Sequence, residues 1–308
     1  MNFTHNNHLT YHIGDKLYGE RTNSFEKFKV NVGQIDKDHY KHSNYQDELR
    51  RTADLVYRDL GKDVVLFLSG GTDSEIVLRN FLDIGIKPNC YTIKFKDDYN
   101  DSDVNEAIDL AKEVDVPLNI IDFDVKDFLY SGEASEFGQK LQCTQITYLM
   151  VYHSILKIGL PAVMGGEVVL RRNVNTDPST WFYNFRENED ASAMRFSNLY
   201  NLPLVNEWFS YTPELLLYYL EDSDIQQLVT NKYNYKLTSV SSKNAILKKL
   251  LPEIRVRKKT HGFEKLLGFN FEAYRQLTGE QIMRLESSVD GIEYNTVIDI
   301  LRNNDASS

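Results

Sequence analysis

The sequence predicts an α/β fold, a doubly wound and mostly parallel sheet with an extra helical part toward the C-terminal end. Three observations predict it. Val64-Val65-Leu66-Phe67-Leu68 is an unbroken apolar, β-prone run, as in a strand buried on both faces. A turn of Ser, Gly, Gly, Thr, Asp and Ser follows, after which Ile76, Val77, Phe81 and Ile84 recur at helical spacing until Gly85 stops the helix. Strand and helix then keep alternating, the pattern of a parallel sheet with ligands at the carboxyl ends of its strands.

In chain order, residues 1–46 read as a small β appendage. Leu9 to Ile13 and Phe28 to Val32 alternate as edge strands do, and Gly14 and Gly33 are their breaks. Asp47 to Asp59 reads as a helix with Leu49, Ala53, Val56 and Tyr57 on one face. The main domain is expected to span 47–270. After the first strand–turn–helix unit it carries the strand Cys90 to Phe95, an acidic loop Lys96 to Ser102 and a helix Val104 to Val114. The strand Leu118 to Phe123 follows, then one long helix Gln139 to Ile158 ended at Gly159. Leu160 to Glu167 repeats the strand-then-glycines pattern, which would bring Gly165, Gly166 and Glu167 to the sheet edge that carries Gly70 and Gly71. Arg171 to Asn201 shows no clear periodicity, although Trp181, Phe182, Tyr183 and Phe185 punctuate it. Such a stretch reads either as a lid or substrate loop or as a surface excursion pinned by its aromatics. Helices are expected at Pro213 to Leu220, Ser242 to Leu251, Phe271 to Glu286 and Ile292 to Leu301; residues 271–308 form the C-terminal helices and tail.

The 308 residues are 42% hydrophobic and 26% charged, a composition of globular proteins. No run is long and apolar enough for a membrane helix, and the first thirty residues lack a signal-peptide core, so a cytoplasmic protein is expected. A net charge of −10 disfavours broad contact with nucleic acid or an anionic membrane. Cys90 heads a predicted strand and Cys143 falls in a predicted helix, which fits buried thiols better than a disulfide framework or a metal site.

The turn after Val64–Leu68 combines unpaired backbone N–H groups, the positive end of a helix dipole and glycines that admit a close ligand. It lacks the lysine of a Walker loop and the three spaced glycines of a dinucleotide fingerprint. Two hydroxyls, Ser69 and Ser74, flank Gly70, Gly71, Thr72 and Asp73. That set suits a pyrophosphate held by hydroxyls and backbone, with the Asp73 carboxylate available for Mg²⁺.

Ser69-Gly70-Gly71-Thr72-Asp73-Ser74 after a strand resembles the pyrophosphate loop of the PP-loop (N-type) ATP pyrophosphatases, which have an adenine nucleotide alpha-hydrolase-like fold and cleave ATP between its α- and β-phosphates. Further segments resemble the synthetase domain of asparagine synthetase, in that family's order. Thr92-Ile93-Lys94-Phe95 is similar to its adenine-lining strand, so Ile93 and Phe95 are implied nucleotide contacts. Asn105-Glu106-Ala107 falls where that family opens a helix with an acid. Val163 to Glu167 matches a strand followed by a glycine-rich acidic motif, implying Gly165 and Gly166 at the nucleotide and Glu167 as a metal ligand with Asp73. Arg257-Lys258-Lys259-Thr260-His261-Gly262-Phe263 resembles the basic motif, which implies Lys258 or Lys259 on the leaving pyrophosphate. The match runs at low density over about residues 50–267.

Two departures stand out. Position 2 is Asn2 where that family's glutaminase has its nucleophilic cysteine, and the residues before Val64 are too few for that module. The motif Gly165-Gly166-Glu167 is also shorter than the family's. The resemblance therefore implies an ATP- and Mg²⁺-dependent ligase that adenylates a small-molecule or macromolecular acid for amide formation, with nitrogen from free ammonia, an amine or a separate donor protein. The alternatives are a PP-loop enzyme that modifies a base in tRNA, DNA or a deazapurine, and a catalytically eroded nucleotide-binding subunit.

Overall fold

The structure, a computed structural model, describes residues 8–17, 27–166, 168, 170–173, 177–230, 254, 262 and 289–303. At the N-terminal end, β1 (Leu9–Ile13) lies between β2 (Lys16–Leu17) and β3 (Phe28–Val32), antiparallel to both. Leu9, Tyr11 and Ile13 alternate inward, as the period of two demands, and join the main hydrophobic core. The short helix α1 (Lys37–His42) and then α2 (Tyr45–Leu60) follow. Asn44 caps α2 by accepting the Asp47 N–H, and Leu49, Ala53 and Val56 on its inner face are fully buried.

The central sheet begins with β4 (Val65–Phe67), followed by α3 (Thr72–Asp83), β5 (Asn89–Phe95), α4 (Asp101–Glu113) and β6 (Leu118–Phe123). Three helices, α5 (Val125–Tyr130), α6 (Glu133–Leu141) and α7 (Ile146–Ile158), lead to β7 (Ala162–Val163). The hairpin of β8 (Leu170–Asn173) and β9 (Asp177–Arg186) and helix α8 (Asp190–Tyr200) precede β10 (Leu204–Val205). The five-stranded order is β10-β7-β4-β5-β6 and every pair is parallel. This is the doubly wound sheet that the sequence predicts. Val64, Leu66 and Leu68 pack into one apolar cluster and Val65 and Phe67 into the other, so β4 is covered on both faces. The chain winds from β4 toward β6, then returns to the other side of β4 at β7. The crevice between β4 and β7 is therefore the topological switch point, where such sheets bind ligands.

Beyond β10 come α9 (Pro213–Glu221) and α10 (Ser223–Thr230); β11 (Val289–Glu293) pairs with β9, and α11 (Tyr294–Arg302) ends the described chain. The expected helices at 242–251 and 271–286 lie outside the described residues.

Three expectations are corrected. The single helix 139–158 is two helices, because Gln142 adopts the left-handed conformation (φ 49, ψ 46) and Cys143 donates its N–H back to the Gly138 carbonyl at 3.0 Å. The buried Asn188 amide donates to Thr144 Oγ1 at 2.8 Å and holds the break, so Cys143 sits between helices. Most of the described residues between Arg171 and Asn201 are in regular structure: β9 buries Trp181, Tyr183 and Phe185 on one face, and α8 follows. Ile292 lies within the edge strand β11, which ends at Glu293, and the last helix starts at Tyr294.

Candidate active site

The loop leaving β4 is tied by its two serines. The Ser69 N–H donates to Ser74 Oγ at 3.2 Å, the two hydroxyls lie 3.2 Å apart, and Ser74 Oγ donates to the Gly71 carbonyl at 3.0 Å. Gly70 holds φ +70, and a Cβ there would fall 2.4 Å from the Asp103 carbonyl oxygen at the start of α4. Only glycine meets both demands. Gly71 is the N-cap of α3 and supplies no side-chain cap, so a ligand at this turn meets helix N–H groups and the positive dipole end. Across the switch point, a Cβ on Gly165 would come 2.9 Å from Asp73 Cβ, which places the loop after β7 directly against the start of α3. Gly166, at φ +65, touches the Asn206–Glu207 backbone after β10.

These elements wall a cavity of about 560 Å³, within the size range of small-molecule and cofactor sites. On the β5 side its wall is Phe67, Leu68, Tyr91, Thr92, Ile93 and Phe95. Asn100 fixes the end of β5 from within: its Oδ1 accepts the Phe95 N–H and its Nδ2 donates to the Ile93 carbonyl, both at 2.8 Å. Gly262 closes over this end, where a Cβ would meet Asn100 Cβ at 2.8 Å and the Phe95 ring at 3.0 Å. Ser69, Asp73 and Ser74 lie between this wall and a second one, and Asp103 also faces the cavity. The second wall, on the β7 side, carries Gln145, Tyr148, Met164, Gly165, Gly166, Arg186 and Glu189.

The second wall is charged and tied by hydrogen bonds. Arg186 Nη1 donates to Glu189 Oε1, and Gln145 Nε2 donates to the same oxygen at 3.0 Å. The Arg186 N–H donates to Asp190 Oδ2 at 2.5 Å. Behind this wall a pocket of about 10 Å³, hardly one water, is lined by Tyr11, Tyr148, Tyr183, Arg186, Glu189, Asp190 and Glu207. Burial raises the Asp190 carboxyl to about 7; the Arg186 N–H opposes the rise and the nearby Glu189 charge adds to it. Asp190 and Glu207 line this small pocket together. Tyr11, Tyr148 and Tyr183 are pushed well above the ordinary phenol range, first by burial, so they stay neutral.

Of the residues read from the sequence, Ser69, Asp73, Ser74, Ile93, Phe95, Gly165 and Gly166 line the one cavity, and Gly70, Gly71 and Thr72 form the turn beside it. Glu167, Lys258 and Lys259 lie outside the described residues, although Gly262 of the same basic motif is at the cavity. Asn100, Asp103, Gln145, Tyr148, Arg186 and Glu189 were not read as site residues. The alternation of Trp181, Tyr183 and Phe185 was the available signal for β9, whose end delivers Arg186. Among the described residues no three His, Cys, Asp or Glu side chains gather as a metal cluster. No helix among them is long and apolar enough to cross a membrane.

No family model and no curated protein matches the chain. Solved structures do resemble it. A predicted subunit of a tRNA methyltransferase from Methanocaldococcus jannaschii shares 16% identity at a TM-score of 0.33, over 61% of this chain and 88% of that one. NMN synthetase from Francisella tularensis shares 13% at 0.31, over 78% and 94%. Glutamine-dependent NAD⁺ synthetase from Acinetobacter baumannii, solved with ADP, shares 17% at 0.32, over 81% of this chain and 45% of that one.

Proposed function

We propose that this chain is an ATP-dependent, AMP-forming ligase that activates a carboxylate as its acyl-adenylate, releases pyrophosphate and passes the acyl group to an amine or ammonia. One observation carries the reading: the Ser69–Ser74 turn, with its glycines and open helix start, faces a ligand-sized cavity at the switch point of a parallel sheet. ATP would lie with its base along Tyr91 to Phe95 and its β- and γ-phosphates on the turn. As the α–β bond breaks, negative charge grows on the departing pyrophosphate. Backbone N–H groups at the start of α3 and the Ser69 and Ser74 hydroxyls oppose that charge, and one preorganised donor of this kind lowers a barrier by about 3 kcal/mol. Lys258 and Lys259 would add positive charge there.

Asp73 and Asp103, both on the cavity wall, fit Mg²⁺, which typically takes one or two carboxylates and completes its shell with water and phosphate. The resemblance implies Glu167 at the same ion. When bound, Mg²⁺ would neutralise charge on the phosphates. In this reading the nitrogen donor is a ready-made amine or a partner's ammonia.

Chromatography of nucleotide after incubation with Mg²⁺-ATP and candidate acids tests the proposal. AMP and pyrophosphate are expected; accumulation of ADP and phosphate would overturn it.

A further inference from the structure

The cavity has to bring two anions together, a polyphosphate and an acid. Among the described residues its wall holds the carboxylates of Asp73, Asp103 and Glu189 and a single cationic side chain, that of Arg186. Arg186 stands on the β7 side of the pyrophosphate turn, away from the β5 wall: it shares the small rear pocket with Glu207, whose backbone abuts Gly166 after β7. A nucleotide base on β5 with phosphates on Ser69–Ser74 leaves this end for the second substrate.

Arg186 is also held in place. It ends β9, pairs with Val289 of β11, and gives its N–H to Asp190, which shares the small rear pocket with Glu207. Its guanidinium already binds one carboxylate, that of Glu189, which Gln145 steadies from α7. A guanidinium has five donors in a planar fork and holds carboxylates with defined geometry, so a site oriented toward one carboxylate suits a second from the cavity.

Resting on the ligase reading, we propose that Arg186 is the binding residue for the acid substrate: it takes one carboxylate oxygen and leaves the other directed at the α-phosphorus. In the step that follows, that oxygen forms the new bond to the α-phosphorus while the bond from the α-phosphorus to its bridging oxygen breaks. Pyrophosphate departs with the electron pair. Glu189 and Gln145 are positioning residues for the guanidinium.

The test is acid-dependent exchange of labelled pyrophosphate into ATP, run with a panel of simple carboxylic and amino acids on the full chain, its Arg186→Gln variant and its Arg186→Lys variant. The Gln variant keeps the backbone N–H that Asp190 accepts. The acid KM is expected to rise about 10- to 100-fold in Arg186→Gln, the span of a charged hydrogen bond, while the ATP KM stays within about twofold. Arg186→Lys, which keeps charge but loses the fork, should fall between. If Arg186→Gln does not fold, an unchanged acid KM in Arg186→Lys overturns the assignment. A raised ATP KM with an unchanged acid KM would move Arg186 to the polyphosphate and overturn it, as would both constants unchanged. Exchange with no acid of the panel in the unaltered chain would overturn the ligase reading itself, and this assignment with it.

Discussion

On the β5 side of the cavity, apart from Gly262, the wall comes from short stretches of chain that follow one another. Phe67 to Ser74 supplies the turn, Tyr91 to Phe95 the strand end, and Asn100 to Val104 the next helix start. On the β7 side, Gln145, Gly166, Arg186 and Glu189 come from a helix start, a loop, a strand end and a helix entry. The first wall is held by local geometry, two hydroxyls and two glycines. The second is held by charge: an ion pair, a buried carboxyl pair and neutral tyrosines. A wall built locally recurs wherever its motif recurs, and so speaks for phosphate. A wall built from distant segments is particular to its chain, and so speaks for the second substrate.

The largest effect should come from the turn itself. Asp73→Ala should reduce AMP formation at least about 100-fold, the scale of losing a charged partner in a phosphoryl-transfer site, with little change in the urea midpoint, because Asp73 faces the cavity. Normal turnover would remove the turn from the chemistry. Gly70→Ala should act on both fold and activity. Its Cβ would stand 2.4 Å from the Asp103 carbonyl at φ +70, which costs about 1–3 kcal/mol as strain and displaces the turn from α4. Urea unfolding and the ATP KM should worsen together; a change in neither would break the account of the turn.

The same contrast explains what was legible in the sequence. The buried strand, the Ser69–Ser74 turn and the helix after it could be read because each signal lies within a few residues. Gly165 and Gly166 repeated that pattern, and the structure sets Gly165 against Asp73. Arg186 and Glu189 could not be read in this way. Their place depends on β9 pairing with β8 and β11, and β11 lies about a hundred residues away. The break at Gln142 was hidden for a similar reason: Thr144 is held by Asn188, a partner more than forty residues on. Local propensity could not supply either contact.

Asn100→Ala sharpens the comparison at an intermediate scale. It removes the two buried bonds that hold the end of β5, each worth about 1 kcal/mol and more where a backbone group is left buried and unpaired. The ATP KM should rise several-fold and the acid KM should not, since both Asn100 side-chain bonds go to the end of β5. A rise in the acid KM alone would contradict the division of the cavity.

The smallest effect on turnover is expected at Asp190, where the signature is pH. Its carboxyl ordinarily titrates near 3.8 and is raised to about 7 in the folded chain, mainly by burial. A carboxyl of raised pKa binds its proton more tightly folded than unfolded, so its contribution to stability is fully present below about pH 3.8 and is lost as pH rises through 7. The groups facing it are Glu207 and Glu189, which share or add negative charge, the Arg186 guanidinium, and the phenols of Tyr11, Tyr148, Tyr152 and Tyr183, which stay neutral across this range. Asp190→Asn can still accept the Arg186 N–H and carries no proton to lose. Urea midpoints measured from pH 4 to 8 should fall less steeply in this variant, the difference approaching at most about 1.4 kcal/mol per pH unit, the linkage of one proton. Parallel curves for the two proteins would show that Asp190 is ionised throughout, and the wall behind Arg186 would then hold a full second negative charge.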